Sequence, residues 1–515
     1  MSVPQAQFPA SQRSSYQFPV YRWIGWLTVA GYAIGLTVMF FISGMFGVPA
    51  PIGWAALVIL FTTGTLLLDR PKALLNFMMF YFLLMPGNRL LGLVGVPLPS
   101  FIDELFFLPF IAVIAMNWIQ RRQLREATIF PLAFCLIAAL SWYVNGRPSL
   151  FTAAQVTMIM LKSYIIWYFC RLTCTFEDER QFSRWVWIYI AYAFIQYFYN
   201  ILWQRGLWPR WHPDFSGGVF GPDGTGGAHI VGYISVFALL LLGGWWISVG
   251  NRAAARRRFW AGICAVVIAY NFIFMTDTKH ALLIFPAAAI LLVMHPKLSM
   301  RMRMRALMTG LLFAFFSVVY FTLSTGGVEL RRTWVQMRNS PKGEIMYAVT
   351  RDFSYLVPYP LLGAGPGRFG SPQGVTARSP LARRYIIPEV DALRRTQLTY
   401  RNSGNKSGFS MVGKPQSDFL TLMGEFGWLG TLVYYSFMGW VVFRLFQKSV
   451  ALPLESPSSG LLLGLSCSVI FLTFTTLIVA TITIPVVVFP VWMLIGRAWD
   501  MTIAGPPAFD GKTRP

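Results

Sequence analysis

Apolar stretches of about 17 to 25 residues recur from Tyr21 almost to the C-terminus, each long enough as a helix to cross a hydrocarbon core of about 30 Å. Such a repeat leaves no room for a separate soluble domain. Composition agrees: 56% of the 515 residues are hydrophobic, only 12% are charged, and the mean hydropathy is +0.55, which excludes an ordinary soluble chain of this size. The first apolar stretch follows a polar leader without a small-residue cleavage site, so it reads as a retained helix rather than a signal peptide. The expected fold is an all-α polytopic membrane protein of about 12 to 14 transmembrane helices with one large extracytoplasmic loop.

The net charge of +23 is unevenly spread, and its distribution orients the chain. Arg13 and Arg22, Arg70 and Lys72, the Arg121–Arg125 cluster, Arg171–Arg184, Arg252–Arg258, Lys297–Arg305, Arg444 and Lys448, and finally Lys512 and Arg514 occupy every second connection. These face the cytoplasm under the positive-inside rule, with short, weakly charged turns near Gly47, Asn88, Gly146 and Thr276 on the other side. Both termini then fall inside. The predicted organisation is a cytoplasmic tail over 1–20, spans one to about eleven over 21–323, a large basic outer loop over 324–415, further spans over 416–498, and a second cytoplasmic tail over 499–515.

Cys135, Cys170, Cys174, Cys264 and Cys467 lie in or beside apolar spans, so no disulfide framework follows. Cys170 and Cys174 stand four apart and read as small buried thiols at a helix end. No metal site and no cofactor are assigned.

Two outer connections are long. One runs from about Trp203 to Ala228 and is rich in Gly, Trp and Pro; the other, Ser324 to Pro415, carries fourteen Lys and Arg against five acids. A solvated basic linker is the plain reading of the second. Against it stand aromatics interleaved with the charges (Trp334, Tyr347, Phe353, Tyr355, Tyr385, Phe409), which suit a loop that folds over the membrane. A cationic cap on the outer face suits an anionic substrate, and phosphate is the group that Arg recognises best.

Within this loop and the helix after it stand Pro360-Leu-Leu-Gly-Ala-Gly-Pro-Gly-Arg-Phe369 and Gln416-Ser-Asp-Phe-Leu-Thr-Leu-Met-Gly-Glu-Phe-Gly-Trp-Leu-Gly430. Upstream are Gly218-Val-Phe-Gly-Pro222 and Thr276-Asp-Thr-Lys-His-Ala-Leu-Leu283. In order, and each at the expected membrane face, these four pieces resemble the signature of the O-antigen ligase and polysaccharide polymerase superfamily of bacterial envelope glycosyltransferases. The resemblance covers roughly residues 200 to 495; any one Gly-Pro cluster alone would only mark a turn.

The resemblance implies a GT-C-like, metal-independent glycosyltransferase of the bacterial inner membrane. It would move a glycan from a polyprenyl-diphosphate carrier to a hydroxyl acceptor at the outer face. That reaction needs cations at the departing diphosphate, a proton acceptor and an outward cavity. Lys279 stands where the family carries an Arg that faces the diphosphate; it is otherwise a lysine snorkelling to the interface, and it lacks the bidentate fork. His280 beside it is a substrate-binding candidate or a helix-end packing residue. Arg368 lies in the Gly-rich turn, where glycines let backbone N–H groups approach an anion. Phe215 replaces a family Arg, leaving Arg205 and Arg210 as the nearest cations.

The largest departure is Gln416, where ligases of the family carry His; Gln cannot take a proton. Asp418 and Glu425 are then the available bases. Asp418 equally suits a helix cap, whereas Glu425, which matches the family's Glu, suits an internal pin better than a base. Asp103 and Glu104 open an apolar span at the outer face, where burying acids is costly enough to mark a second site candidate.

These readings converge on a polymerase that adds lipid-linked repeat units of an exopolysaccharide, capsule or O-antigen. Its partners would be the polyprenyl-diphosphate-linked oligosaccharide, the lipid bilayer, and a chain-length regulator and flippase of the same pathway; nucleic acid is not among them. A glycan ligase of the same superfamily is the alternative, disfavoured by the lost His. A flippase for the lipid-linked oligosaccharide is the rival from another class, and the ninety-odd residues of outer loop count against it.

Overall fold

The computed structural model describes residues 107–121, 128–147, 149–202, 217–218, 227–250, 253–276, 278–304, 357–369, 417–482 and 484–501, with scattered positions over 73–83 and 307–319. Of these, 82% are helical and none is in a strand, as lipid demands of a backbone that must satisfy its own hydrogen bonds. The described helices are α1 (Phe107–Arg121), α2 (Ile129–Val144), α3 (Leu150–Met160), α4 (Lys162–Thr173), α5 (Glu179–Leu202), α6 (Gly227–Trp245), α7 (Ala255–Tyr270), α8 (Lys279–Val293), α9 (Asp418–Ala451), α10 (Pro457–Ile478) and α11 (Pro485–Trp499). Short π-helical segments, Trp246–Gly250 and Asn271–Met275, extend α6 and α7.

Among the described residues four helical stretches are long and apolar enough to cross a membrane: Ala228–Val249, Ala255–Met275, Asp418–Ala451 and Pro457–Ile478. The first two join α6 and α7 to their π-helical extensions. The α3–α4 pair makes a fifth if counted as one span, bent by 63°. The remaining expected spans, both tails and all of the 324–415 loop except 357–369 lie outside the described residues.

Close backbone approach sets the core. α10 packs between α6 and α9, and at the α6 crossing a Cβ on Gly244 would fall 2.0 Å from the Gly460 carbonyl oxygen, so small residues let the two helices meet where no hydrophobic force draws helices together in lipid. α11 lies along α4, and an aromatic layer joins them to α9: Trp167 meets Trp499 edge-on at 4.9 Å, and Phe437 stacks on Trp492 at 5.7 Å. Arg171 closes this end with a forked pair to Asp500, at 2.7 and 3.2 Å.

The bend at Leu161 has neither Pro nor Gly behind it. Leu161 N–H reaches both Thr157 O and Met158 O at 3.1 Å, tightening the last turn of α3, and α4 leaves in a new direction. Lys162, the first residue of α4, is only 2% exposed, and its Nζ lies 5.4 Å from the Phe107 ring and 5.9 Å from that of Phe489. Aromatic faces thus receive a cation that the apolar interior would otherwise reject.

Candidate functional site

The Gly-rich turn and the start of α9 are built to complete one another. α9 breaks at Gly427 (φ 67°, ψ −169°), a conformation essentially reserved for glycine, and the break removes hydrogen-bond partners on both sides. The turn supplies the replacements. Ala364 N–H donates to Gly424 O at 2.8 Å and Gly365 N–H to Glu425 O at 3.2 Å, while Trp428 N–H donates to Pro360 O and Leu429 N–H to Leu361 O, both at 3.1 Å. The two chains run so close that a Cβ on Gly363 would sit 2.5 Å from the Glu425 carbonyl carbon, and one on Gly427 2.4 Å from that of Leu361.

Side chains lock the same joint. Glu425 is wholly buried, and its Oε2 accepts from Gly367 N–H at 2.7 Å. From the end of α2, Asn145 Nδ2 donates to Gly363 O at 3.0 Å and Ser141 Oγ to Glu425 O at 3.2 Å. Phe369 lies over Gly424, where any side chain would collide with its ring. Gly363, Gly365 and Gly367 all have positive φ, and their N–H groups are taken up within the joint, by Tyr359 O at 2.7 Å, Glu425 O and Glu425 Oε2 respectively. Arg368 follows them and is half-buried.

At the tip of α9, Ser417 caps the helix by accepting Leu420 N–H at 3.2 Å. Asp418 is 1% exposed, and its Oδ2 accepts from Thr481 N–H (2.5 Å), Ile482 N–H (2.8 Å) and Thr481 Oγ1 (3.3 Å). This carboxylate therefore ties α9 to the α10–α11 connection and is closed off from solvent by it.

Tyr233 Oη is 2.5 Å from His280 Nε2, and the His280 ring lies 5.4 Å from that of His229, one turn before Tyr233 on α6. Tyr233 is fully buried, whereas both histidines are half-buried, so a buried hydroxyl backs two imidazoles near the surface. The Gly218 piece joins from below: its N–H donates to Asn200 Oδ1 at 2.6 Å, and Asn200 Nδ2 donates to Asn271 Oδ1 at 2.7 Å. Thr278 closes against Gly232, and its hydroxyl lies 3.0 Å from that of Thr276.

Of the residues singled out by sequence, Asp418, Glu425 and Arg368 thus share one assembly around the first two turns of α9, about 10 Å long at 1.5 Å per residue. His280 is joined instead to Tyr233 and His229 of α6. Lys279 is the first residue of α8, next to His280, and its side chain lies outside the described residues. Arg205, Arg210, Gln416, Asp103 and Glu104 lie outside them as well. Sequence reasoning missed His229, Tyr233 and Arg147. The first two stand four apart on one face of α6, a spacing that was readable but concealed in an apolar run. Arg147 adopts φ 53° in the connection between Asn145 and Thr152, both of which touch the Gly-rich turn. Among the described residues no group of three or more His, Cys, Asp or Glu has metal-binding proximity.

In sequence, neither a family model nor a curated protein matches the chain.

Proposed function

We propose that this chain is a polymerase of lipid-linked repeat units in bacterial exopolysaccharide, capsule or O-antigen synthesis, working without metal at the outer face of the inner membrane. In this reading it has about 12 to 14 spans in a GT-C-like arrangement, with 324–415 outside and both termini inside. The supporting observation is the mutual repair of α9 and the Gly-rich turn. Two segments that the resemblance pairs, far apart in sequence, meet backbone to backbone and join Glu425 to the turn that carries Arg368, while Tyr233, His280 and His229 cluster at the starts of α6 and α8.

The reaction in this reading forms one bond and breaks one. The acceptor hydroxyl oxygen bonds to the anomeric carbon of the donor as its proton passes to His280, and the bond from that carbon to the diphosphate oxygen breaks with its electron pair leaving on the diphosphate. With Nε2–H donating to Tyr233 Oη, the lone pair of His280 is on Nδ1, the proton-accepting atom here. Lys279, Arg368 and Arg147 stabilise the leaving charge. Asp418, for which the sequence left base and helix cap equal, is an anchor in this reading because of its burial and its three donors.

Two experiments test this. In a deletion strain, carrier-linked glycan sized on a gel is expected to accumulate as single repeat units; long carrier-linked chains would indicate a ligase, and loss of outward-facing units a flippase. The anchor role predicts that Asp418→Asn, which keeps an acceptor oxygen for Thr481 and Ile482, leaves polymer within a few-fold of wild type. Asp418→Ala should lower thermal stability by about 1–3 kcal/mol for each buried N–H left unsatisfied. Abolished polymer in Asp418→Asn, at unchanged melting temperature, would return the base role to that carboxylate.

A further inference from the structure

At the opposite end of the bundle from Asp418, α5, the π-helical end of α6, the start of α7 and the start of α10 enclose a cleft of about 850 Å³. Its rim carries Arg180 and Arg184, one turn apart on α5, and Arg256 and Arg257 in the first turn of α7. Its floor is aromatic: Trp187 and Trp245 meet edge to face at 5.5 Å, and Trp260 stands 54% exposed at the side. Glu179 also lines the cleft, where one oxygen of its carboxylate accepts from Ser456 Oγ at the start of α10; four guanidinium groups against this one carboxylate leave the cleft cationic.

We infer that this cleft binds the phosphate headgroup of an anionic glycerophospholipid, with the guanidinium groups on the phosphate and the tryptophans against the glycerol and upper acyl chains. Three independent features point there. Cations in the first turn of α7 oppose the helix dipole, and Ala254 provides no side-chain cap, so a bound anion converts an unfavourable end into a favourable one. Guanidinium forks match phosphate oxygens in pairs. The indole floor fits a ligand with hydrocarbon beneath its charge, as tryptophan does at membrane interfaces; inorganic phosphate would use only the rim. The inference rests on the chain crossing a membrane and not on its being a polymerase.

The test is lipid binding to the purified full chain by native mass spectrometry, with cardiolipin, phosphatidylglycerol and phosphatidylcholine offered in turn and inorganic pyrophosphate as a separate arm. Cardiolipin is expected to bind at least tenfold more tightly than phosphatidylcholine. Arg184→Ala/Arg256→Ala should remove most of that preference, and Arg258→Ala/Arg301→Ala, which deletes two exposed cations outside the cleft lining, should change it less than twofold. Should the first double variant not be monodisperse, Arg184→Gln/Arg256→Gln replaces it. Equal losses in the cleft and control variants would reduce the effect to diffuse charge attraction and overturn the site. Pyrophosphate binding as tight as cardiolipin would overturn the lipid assignment, as would indifference to headgroup charge.

Discussion

Polymer formation in a strain carrying His280→Gln is expected to fall by about 10² to 10⁴, the usual effect of losing a positioned general base. Gln retains a donor for the Tyr233 hydroxyl 2.5 Å away, so packing around α6 and α8 should persist while the proton acceptor is lost. Single repeat units should then accumulate on the carrier, since assembly and flipping precede this step. Tyr233→Phe keeps the imidazole and removes only its orienting hydroxyl, so its effect should be smaller. Wild-type polymer in His280→Gln, at equal protein abundance, would remove that residue from the chemistry.

Gly427→Ala should be the most damaging small substitution in α9. Its φ of 67° and ψ of −169° cost a side-chain-bearing residue about 1–3 kcal/mol, and the added Cβ would stand 2.4 Å from the backbone of Leu361. Relief of that clash means moving the Gly-rich turn, which breaks the bonds from Trp428 and Leu429. We expect a fall in detergent-solubilised melting temperature and in monodisperse yield, corresponding to about 3 kcal/mol or more. Gly439→Ala, on the same helix with nothing within 4 Å of the new methyl, supplies the contrast: it should be neutral or stabilising by up to about 1 kcal/mol. Equal behaviour of the two variants would mean that the break at Gly427 carries no structural weight.

The helical class was legible because lipid leaves so few options and the apolar runs are long. That Pro360–Phe369 and Ser417–Gly430 belong together was legible only as a resemblance; that the second is a broken helix repaired by the first was not, because the repair consists of backbone hydrogen bonds that leave no side-chain pattern. The anchoring of Asp418 was hidden for a different reason. Thr481 and Ile482 lie over sixty residues away in a connection with no polar signature of its own. The bend at Leu161 was also invisible, since the sequence between Gly146 and Arg171 reads as one span and no Pro or Gly marks the change in direction. Lys162 was the single clue there, a charge in the middle of an apolar run.

The joint between α9 and the Gly-rich turn has a mechanical corollary. Residues 360–365 act as a splint across a fracture, and a splint cannot also be a hinged door. Lifting that stretch would strip four backbone bonds and expose a fully buried Glu425, so residues 360–365 stay shut for as long as α9 stays broken at Gly427.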